Sequence, residues 1–323
     1  MSDAPLLDVR DLKTHFKTRW GELRAVDGVS FSLDAGETLG IVGESGSGKS
    51  MLAMSLVRLV PQPAGRIAGG DIRFDGDDLL ALSETEMRRV RGAKISMILQ
   101  DPMSSLNPLM TVGDQVAEAI RIHRGLGGSA LRKAVIEALE QVRIPSPEVR
   151  ARSWPHQLSG GMRQRVVGAI AIACRPKLLI ADEPTTALDA TVQLQYLDLL
   201  RDLQQRFGMA LIVITHDFGV VAHMCDRAAV MYAGRIVETA PVRNLFDAPA
   251  HPYTQGLLRS LPAADRKAER LSSIDGAPPQ LSNLPEGCRF APRCPKASAQ
   301  CRTDYPPVIQ KGPRHEVACW HAD

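Results

Sequence analysis

Eight consecutive residues, Gly43-Glu44-Ser45-Gly46-Ser47-Gly48-Lys49-Ser50, match G-x-x-x-x-G-K-[ST] at every fixed position. Gly43, Gly46 and Gly48 let a tight turn close so that backbone N–H groups converge on phosphate oxygens, beside the positive end of a following helix. The Lys49 ammonium is then placed to reach the β and γ phosphates of a nucleoside triphosphate, and the Ser50 hydroxyl to bind Mg²⁺. Ser45, Ser47 and Met51 complete the expected phosphate-contacting set. The competing reading is a chance Gly/Ser loop. An apolar run before it, Thr38 to Val42, and a helical pattern after it, Lys49 to Val60, argue against that.

A second constellation is Leu178-Leu179-Ile180-Ala181-Asp182-Glu183, an apolar run that delivers two carboxylates to its end. In open α/β sheets ligands bind at the carboxyl ends of the strands. Asp182 is placed to hold Mg²⁺, directly or through water, and Glu183 to polarise an attacking water. Alone the pair reads equally well as a solvated turn; after a phosphate loop it reads as chemistry.

These groups need a parallel sheet to hold them. Val29-Ser30-Phe31-Ser32-Leu33 alternates with period 2, as a half-buried strand does. Thr38 to Val42, Leu178 to Ala181 and Leu211 to Thr215 are short apolar runs bounded by polar residues, the pattern of central strands buried on both faces. Asp101 to Arg165 is mostly helical in pattern, clearest over Ala130 to Gln141. The expected fold is therefore α/β, a parallel-sheet core with antiparallel strands and a helical subdomain at about 101–165.

Composition limits the alternatives. Lys plus Arg is 39 and Asp plus Glu is 36 over 323 residues, a formal net charge of +3, which argues against a chain that coats nucleic acid or an anionic membrane. The longest apolar run, Val166 to Cys174, has nine residues, well short of the ~18 that span a bilayer. Met1 to Arg10 has a polar start and no apolar core, so no secretory signal is expected, and the cysteines are expected to be reduced. Eleven of the 22 prolines and four of the six cysteines lie in the last 75 residues. This shift divides the chain into an expected compact domain, residues 1–245, and a smaller loop-rich segment, residues 246–323.

Leu158-Ser159-Gly160-Gly161-Met162-Arg163-Gln164-Arg165 resembles the signature sequence of ABC-type ATPases. Four other elements follow that family's order: Gln100 resembles the Q-loop glutamine, Ala187-Leu188-Asp189 the D-loop, His216 the switch histidine, and Phe16 the aromatic that stacks on adenine. Trp20 and Phe31 are neighbouring aromatics, and Phe16 reads equally well as a strand-edge core residue. Gln100 to Pro108 resembles the segment after the Q-loop in the oligopeptide/dipeptide/nickel importers, and His251-Pro252-Tyr253-Thr254 resembles the opening of their C-terminal extension. The match runs over essentially the whole chain.

The resemblance implies ATP as substrate and Mg²⁺ as cofactor, with Ser50, Gln100 and Asp182 around the metal. It also implies that two ATPase subunits sandwich two ATPs. Ser159, Gly160, Gly161 and Gln164 of one then face the nucleotide on the other's phosphate loop. Glu183 takes the general-base role and His216, Lys49 and Gln100 assist at the γ-phosphate. Implied partners are two transmembrane permease subunits, a second ATP-binding subunit (a distinct F-type paralogue) and an extracytoplasmic substrate-binding protein, with no nucleic acid. The implied location is peripheral, on the cytoplasmic face of the inner membrane. Di- or oligopeptides are the expected cargo, with nickel or another small solute as the alternative. A non-transport ABC ATPase and a nucleotide-dependent iron–sulfur sensor are the rival classes. The first usually carries a long coiled-coil insertion or two ATPase domains, and neither is visible here.

Cys288, Cys294, Cys301 and Cys319 are separated by five, six and seventeen residues. Four thiolates suit tetrahedral zinc or a [4Fe–4S] cluster, but structural zinc usually shows one pair two to four residues apart. Pro292, Pro295, Pro306 and Pro307 and this spacing resemble the peptide-importer extension, some examples of which hold a [4Fe–4S] cluster. The resemblance therefore favours the cluster over zinc and over free thiols, as a structural staple. His315 and His321 are substitute ligands or ordinary polar residues. Cys174 and Cys225 sit in apolar contexts and read as core residues.

Overall fold

The computed structural model describes residues 4–19, 21–101, 105–186, 188–261 and 273–322. They form two compact units that alternate along the chain. One gathers the residues up to Leu6, Leu33–Thr38 and Phe74–Ile214; the other gathers Leu7–Ser32, Leu39–Arg73 and the residues from Thr215 on.

The second of these units opens with β1 (Leu7–Thr18) and β2 (Gly21–Leu33), which alternate buried and open positions. With β4 (Gly65–Phe74) they make a sheet in the order β2-β1-β4. Between them come β3 (Thr38–Val42), buried at every position, and α1 (Lys49–Leu56). The sequence pattern carries the helix to Val60, but it stops at Leu56 with Val57 as its cap. A hydroxyl pair, Thr14 Oγ1 and Ser55 Oγ at 2.7 Å, fastens α1 to β1.

The other unit runs through β5 (Asp77–Asp78), α2 (Glu84–Val90) and β6 (Ile95–Ile98) to the helical stretch α3 (Val112–Arg124), α4 (Gly128–Gln141), α5 (Pro147–Arg150) and α6 (Gly160–Ile172). Local chemistry sets their ends. Thr111 caps α3 by accepting the Asp114 N–H, and Gly125 closes it in the left-handed conformation. β7 (Leu178–Asp182), α7 (Ala190–Phe207) and β8 (Ala210–Thr215) follow. β6, β7 and β8 pair in parallel with β7 in the middle, and both β7 and β8 are buried throughout. That is why their sequences are continuous apolar runs rather than alternating ones.

The chain then returns to the unit of the phosphate loop with α8 (Phe218–Met224), β9 (Arg227–Tyr232), β10 (Arg235–Pro241), α9 (Val242–Asp247) and α10 (Pro252–Arg259). It ends in α11 (Ala299–Thr303), β11 (Val308–Gly312) and β12 (His315–Ala318). β9 pairs in parallel with β3, antiparallel with β10; β12 then adds antiparallel to β10 and β11 to β12. The C-terminal residues are thus built into the sheet that carries the phosphate loop. Tyr253 and Phe290 share one apolar cluster with Val42, Val230 and Tyr232. The apolar residues of the C-terminal segment thus pack on strands laid down earlier in the chain.

Among the described residues no helix is long and apolar enough to cross a membrane.

Candidate functional site

β3 runs straight into the phosphate loop. Gly43 has no room for a side chain, because a Cβ there would lie 2.1 Å from the Met231 carbonyl oxygen at the end of β9. Gly48 adopts φ +103° and a Cβ on it would lie 2.1 Å from the Ala25 carbonyl oxygen. Lys49 is buried at the start of α1, its Nζ donating to the carbonyls of Gly43 (2.7 Å) and Glu44 (2.9 Å). Ser47 is buried with its Oγ lacking a hydrogen-bond partner, while its carbonyl accepts the Gly234 N–H at 2.8 Å. Ser45 and Gly46 are exposed, Ser50 and Met51 half-buried. An orphaned hydroxyl, a lysine held over the loop and glycines that admit no Cβ fit the triphosphate and its Mg²⁺.

The β7 end carries the carboxylates. Asp182 is buried and Glu183 turns sharply into the following loop with φ +45°, a left-handed conformation costly for this residue. Three contacts hold it there. Its N–H donates to the Ile214 carbonyl at 2.9 Å, and its Oε2 accepts from Gln100 Nε2 (3.0 Å) and Thr186 Oγ1 (2.9 Å). The Gln100–Glu183 pairing joins two residues singled out separately in the sequence. Thr186 was missed, since a threonine in a loop carries no signal of its own.

Ser159 caps α6, its Oγ accepting the Met162 N–H at 3.3 Å. A Cβ on Gly160 would meet open space, whereas Gly161 lies against Val192 of α7. Ser159, Gly160, Gly161 and Met162 line one concavity with Leu188, Asp189 and Gln195, so residues of the expected signature and D-loop share a surface. Ala187 of the expected D-loop lies outside the described residues, as do Pro102, Met103 and Ser104 of the segment after Gln100. Gln164 is buried, with its Nε2 donating to the Pro184 carbonyl at 2.7 Å; it ties α6 to the loop that Glu183 opens.

His216 is exposed in the turn between β8 and α8, where the Asp217 N–H donates to Thr215 Oγ1 at 3.0 Å and Asp217 caps α8. Phe16 is half-buried near the end of β1 beside Gly65; a Cβ on that glycine would lie 2.6 Å from the ring. Trp20 lies outside the described residues.

In the C-terminal segment the Cys288 N–H donates to the Cys301 carbonyl at 2.8 Å. Burial, reinforced by neighbouring cysteines, pushes the thiols of Cys288 and Cys294 up and that of Cys319 to about 11. The thiols therefore share a neighbourhood, and their number suits a thiolate-bound metal. Yet no group of three or more His, Cys, Asp or Glu among the described residues converges on a metal position. The expected cluster thus has the donor set without the ligand geometry. His315 is occupied with the buried Glu238 at 2.9 Å, and His321 Nε2 pairs with Ser298 Oγ at 3.0 Å. Burial raises the Cys174 thiol and lifts that of Cys225 to about 12, although both are half-buried rather than the core residues expected.

Comparison with known proteins places this geometry in a family. Residues 26–186 match the ABC transporter model and residues 237–301 the oligopeptide/dipeptide transporter C-terminal region. The chain belongs to the ABC transporter family of ATP-binding proteins, in the branch carrying that C-terminal region, and ATP hydrolysis is its reaction. It is 51% identical over 319 residues (98% of this chain, 95% of the relative) to a probable peptide ABC transporter ATP-binding protein, y4tR, of Sinorhizobium fredii. It is 52% identical over 316 residues (98% and 88%) to the oligopeptide transport ATP-binding protein OppD of Bacillus subtilis. Among solved structures it resembles the dimeric post-hydrolysis state of the ATP-binding cassette MJ0796 bound to ADP and Pi, at TM-score 0.66 and 28% identity, covering 73% of this chain and 99% of that one.

Proposed function

We propose that this chain is the energy-coupling ATPase of a peptide importer, peripheral on the cytoplasmic face of the membrane. It works with two permease subunits, a distinct second ATPase subunit and an extracytoplasmic binding protein. The observation that carries the reading is the similarity to peptide-import subunits along nearly the full chain, C-terminal region included.

In this reading the phosphate loop from Gly43 to Ser50, with Met51, cradles the triphosphate while Lys49 turns to its β and γ oxygens. Ser50, Gln100 and Asp182 would hold Mg²⁺, which would supply charge neutralisation to the phosphates. Glu183 accepts the proton of the attacking water as that oxygen bonds to the γ-phosphorus and the bond to ADP breaks. His216 contacts the γ-phosphate and Phe16 stacks on adenine. Ser159, Gly160 and Gly161 close on the nucleotide held by the second ATPase subunit; the concavity they line beside Asp189 supports this. Gln164 acts behind them through Pro184. Closure completes the site, and reopening after hydrolysis drives the permease between its two states.

The four cysteines are read as a thiolate site, [4Fe–4S] ahead of zinc, on the number of thiols and their shared neighbourhood. No step above passes through it. Iron, labile sulfide and zinc analysis of anaerobically purified protein tests the assignment: all six thiols free, with neither metal present, removes it.

Mass spectrometry of the proteins that co-purify from gently solubilised membranes tests the function. Two multispan permeases, a second ATPase and a peptide-binding protein are the expected company. A chain recovered alone, or with ribosomal or DNA-repair proteins, overturns the transport reading and leaves the ATPase chemistry.

A further inference from the structure

One arginine in the C-terminal segment reaches the phosphate loop, and a second holds residues that border it. Arg293 forms a two-pronged pair with the Glu44 carboxylate, Nη1 to Oε2 at 2.7 Å and Nη2 to Oε1 at 3.0 Å. Its side chain is only 4% exposed, and its remaining donors are occupied: Nε on the Asp275 carbonyl (3.0 Å), Nη2 also on Ile274 (3.2 Å), Nη1 also on Tyr232 (3.3 Å). Tyr253, fully buried, accepts the Glu44 backbone N–H at its hydroxyl (2.9 Å). Arg289 works from the other side. It binds the Ala233 carbonyl and the Asp27 carboxylate, and the next residue, Gly234, donates its N–H to Ser47.

We propose that Arg293, seconded by Tyr253, is a positioning residue for ATP: it fixes the first turn of the phosphate loop and cancels the negative charge of Glu44 where a triphosphate must bind. The inference rests on the reading of Gly43 to Ser50 as the ATP loop. Its physical core is simple. Glu44 lies inside a loop built to accept several negative charges, and an uncompensated carboxylate there repels them. A planar guanidinium whose every nitrogen is hydrogen-bonded both neutralises that carboxylate and holds it in one orientation, which a lysine cannot do. The buried aromatic group Tyr232, Tyr253 and Phe290 keeps the guanidinium from turning away: the Tyr232 and Phe290 ring centroids both lie 5.9 Å from its carbon.

The test uses the full-length chain and titration with a fluorescent ribose-labelled ATP in Mg²⁺. Arg293→Gln is expected to weaken binding about tenfold, with the loss shrinking as salt screens the exposed carboxylate. Glu44→Gln placed in that variant is expected to restore affinity to within about threefold of wild type, because it removes the unpaired charge. A merely structural arginine predicts no such rescue. Wild-type affinity in Arg293→Gln, or a double variant as weak as the single, overturns the proposal. If Arg293→Gln does not fold, Tyr253→Phe decides: a several-fold loss supports the clamp, unchanged affinity overturns it. A wild-type chain that binds no ATP sinks the phosphate-loop reading itself, whereas wild-type binding with an indifferent Arg293→Gln sinks only the clamp.

Discussion

Gln100 donates from Nε2 to Oε2 of Glu183 at 3.0 Å, so the residue just beyond β6 holds the carboxylate just beyond β7. The two strands are parallel neighbours in register from Ile95 with Leu178 to Ile98 with Ala181. Parallel pairing puts both strand ends at the same edge of the sheet, which turns a separation of 83 residues into a hydrogen bond. The left-handed backbone of Glu183 is held by this contact, by Thr186 and by Ile214.

Replacing Glu183 with Gln keeps the shape and removes the carboxylate proposed as the base. Turnover is expected to fall by about 10²–10⁴-fold with ATP binding retained, read by phosphate release beside nucleotide titration. Gln100→Ala, which loses one orienting hydrogen bond, is expected to cost about tenfold in turnover. Undiminished hydrolysis in the Glu183 variant takes the general-base role away from it.

Gly48→Ala sets a methyl group against the Ala25 carbonyl at a positive φ. Backbone cannot yield as a flexible side chain can, so a loss of about 1–3 kcal/mol of stability is expected together with loss of ATP binding. Thermal melting with and without Mg-ATP separates the two effects, since the ligand-induced rise in Tm should vanish.

Asp27 and Arg289 are a buried pair. Burial alone would push the Asp27 carboxyl up, but the guanidinium groups of Arg289, Arg235 and Arg24 together outweigh it and hold it below its ordinary value. Arg289→Met leaves a buried carboxylate with Arg235 at 3.6 Å, His15 at 3.5 Å and the more distant charge of Arg24, and is expected to cost about 3–5 kcal/mol in chemical denaturation. The accompanying Asp27→Asn change should recover part of that loss. No recovery would mean that Arg289 acts through Ala233 alone.

Burial lowers the His251 pKa to about 3, and its Nδ1 accepts the Tyr253 N–H at 3.0 Å, which requires the neutral ring. The unfolded chain binds this proton near pH 6.5 and the folded chain does not. Stability is therefore fully present above about pH 6.5 and falls with pH between there and the folded value, by at most about 1.4 kcal/mol per unit. Urea denaturation at pH 7.5 and 5.5 should show a smaller decline in His251→Asn, whose side-chain oxygen still accepts at the helix start. Equal declines would assign the acid sensitivity elsewhere.

The sequence alone determined the chemistry and much of the scaffold. The phosphate-loop pattern and the apolar runs at Thr38 to Val42, Leu178 to Ala181 and Leu211 to Thr215 are local signals. The corresponding strands, Thr38–Val42, Leu178–Asp182 and Ala210–Thr215, differ from them by at most one residue at an end. A strand buried on both faces has to be apolar throughout, so its composition betrays it. Only tertiary structure decided what the C-terminal segment does. Arg293 and Glu44 are 249 residues apart, and no pattern in either stretch speaks of the other. Their meeting depends on β12 adding to β10 and on Tyr253 and Phe290 packing against Tyr232, long-range contacts that exist once the chain has folded. Tyr253 was visible as part of a motif, yet its hydrogen bond to the phosphate loop was not, because a hydroxyl's partner is set by what lies across the core.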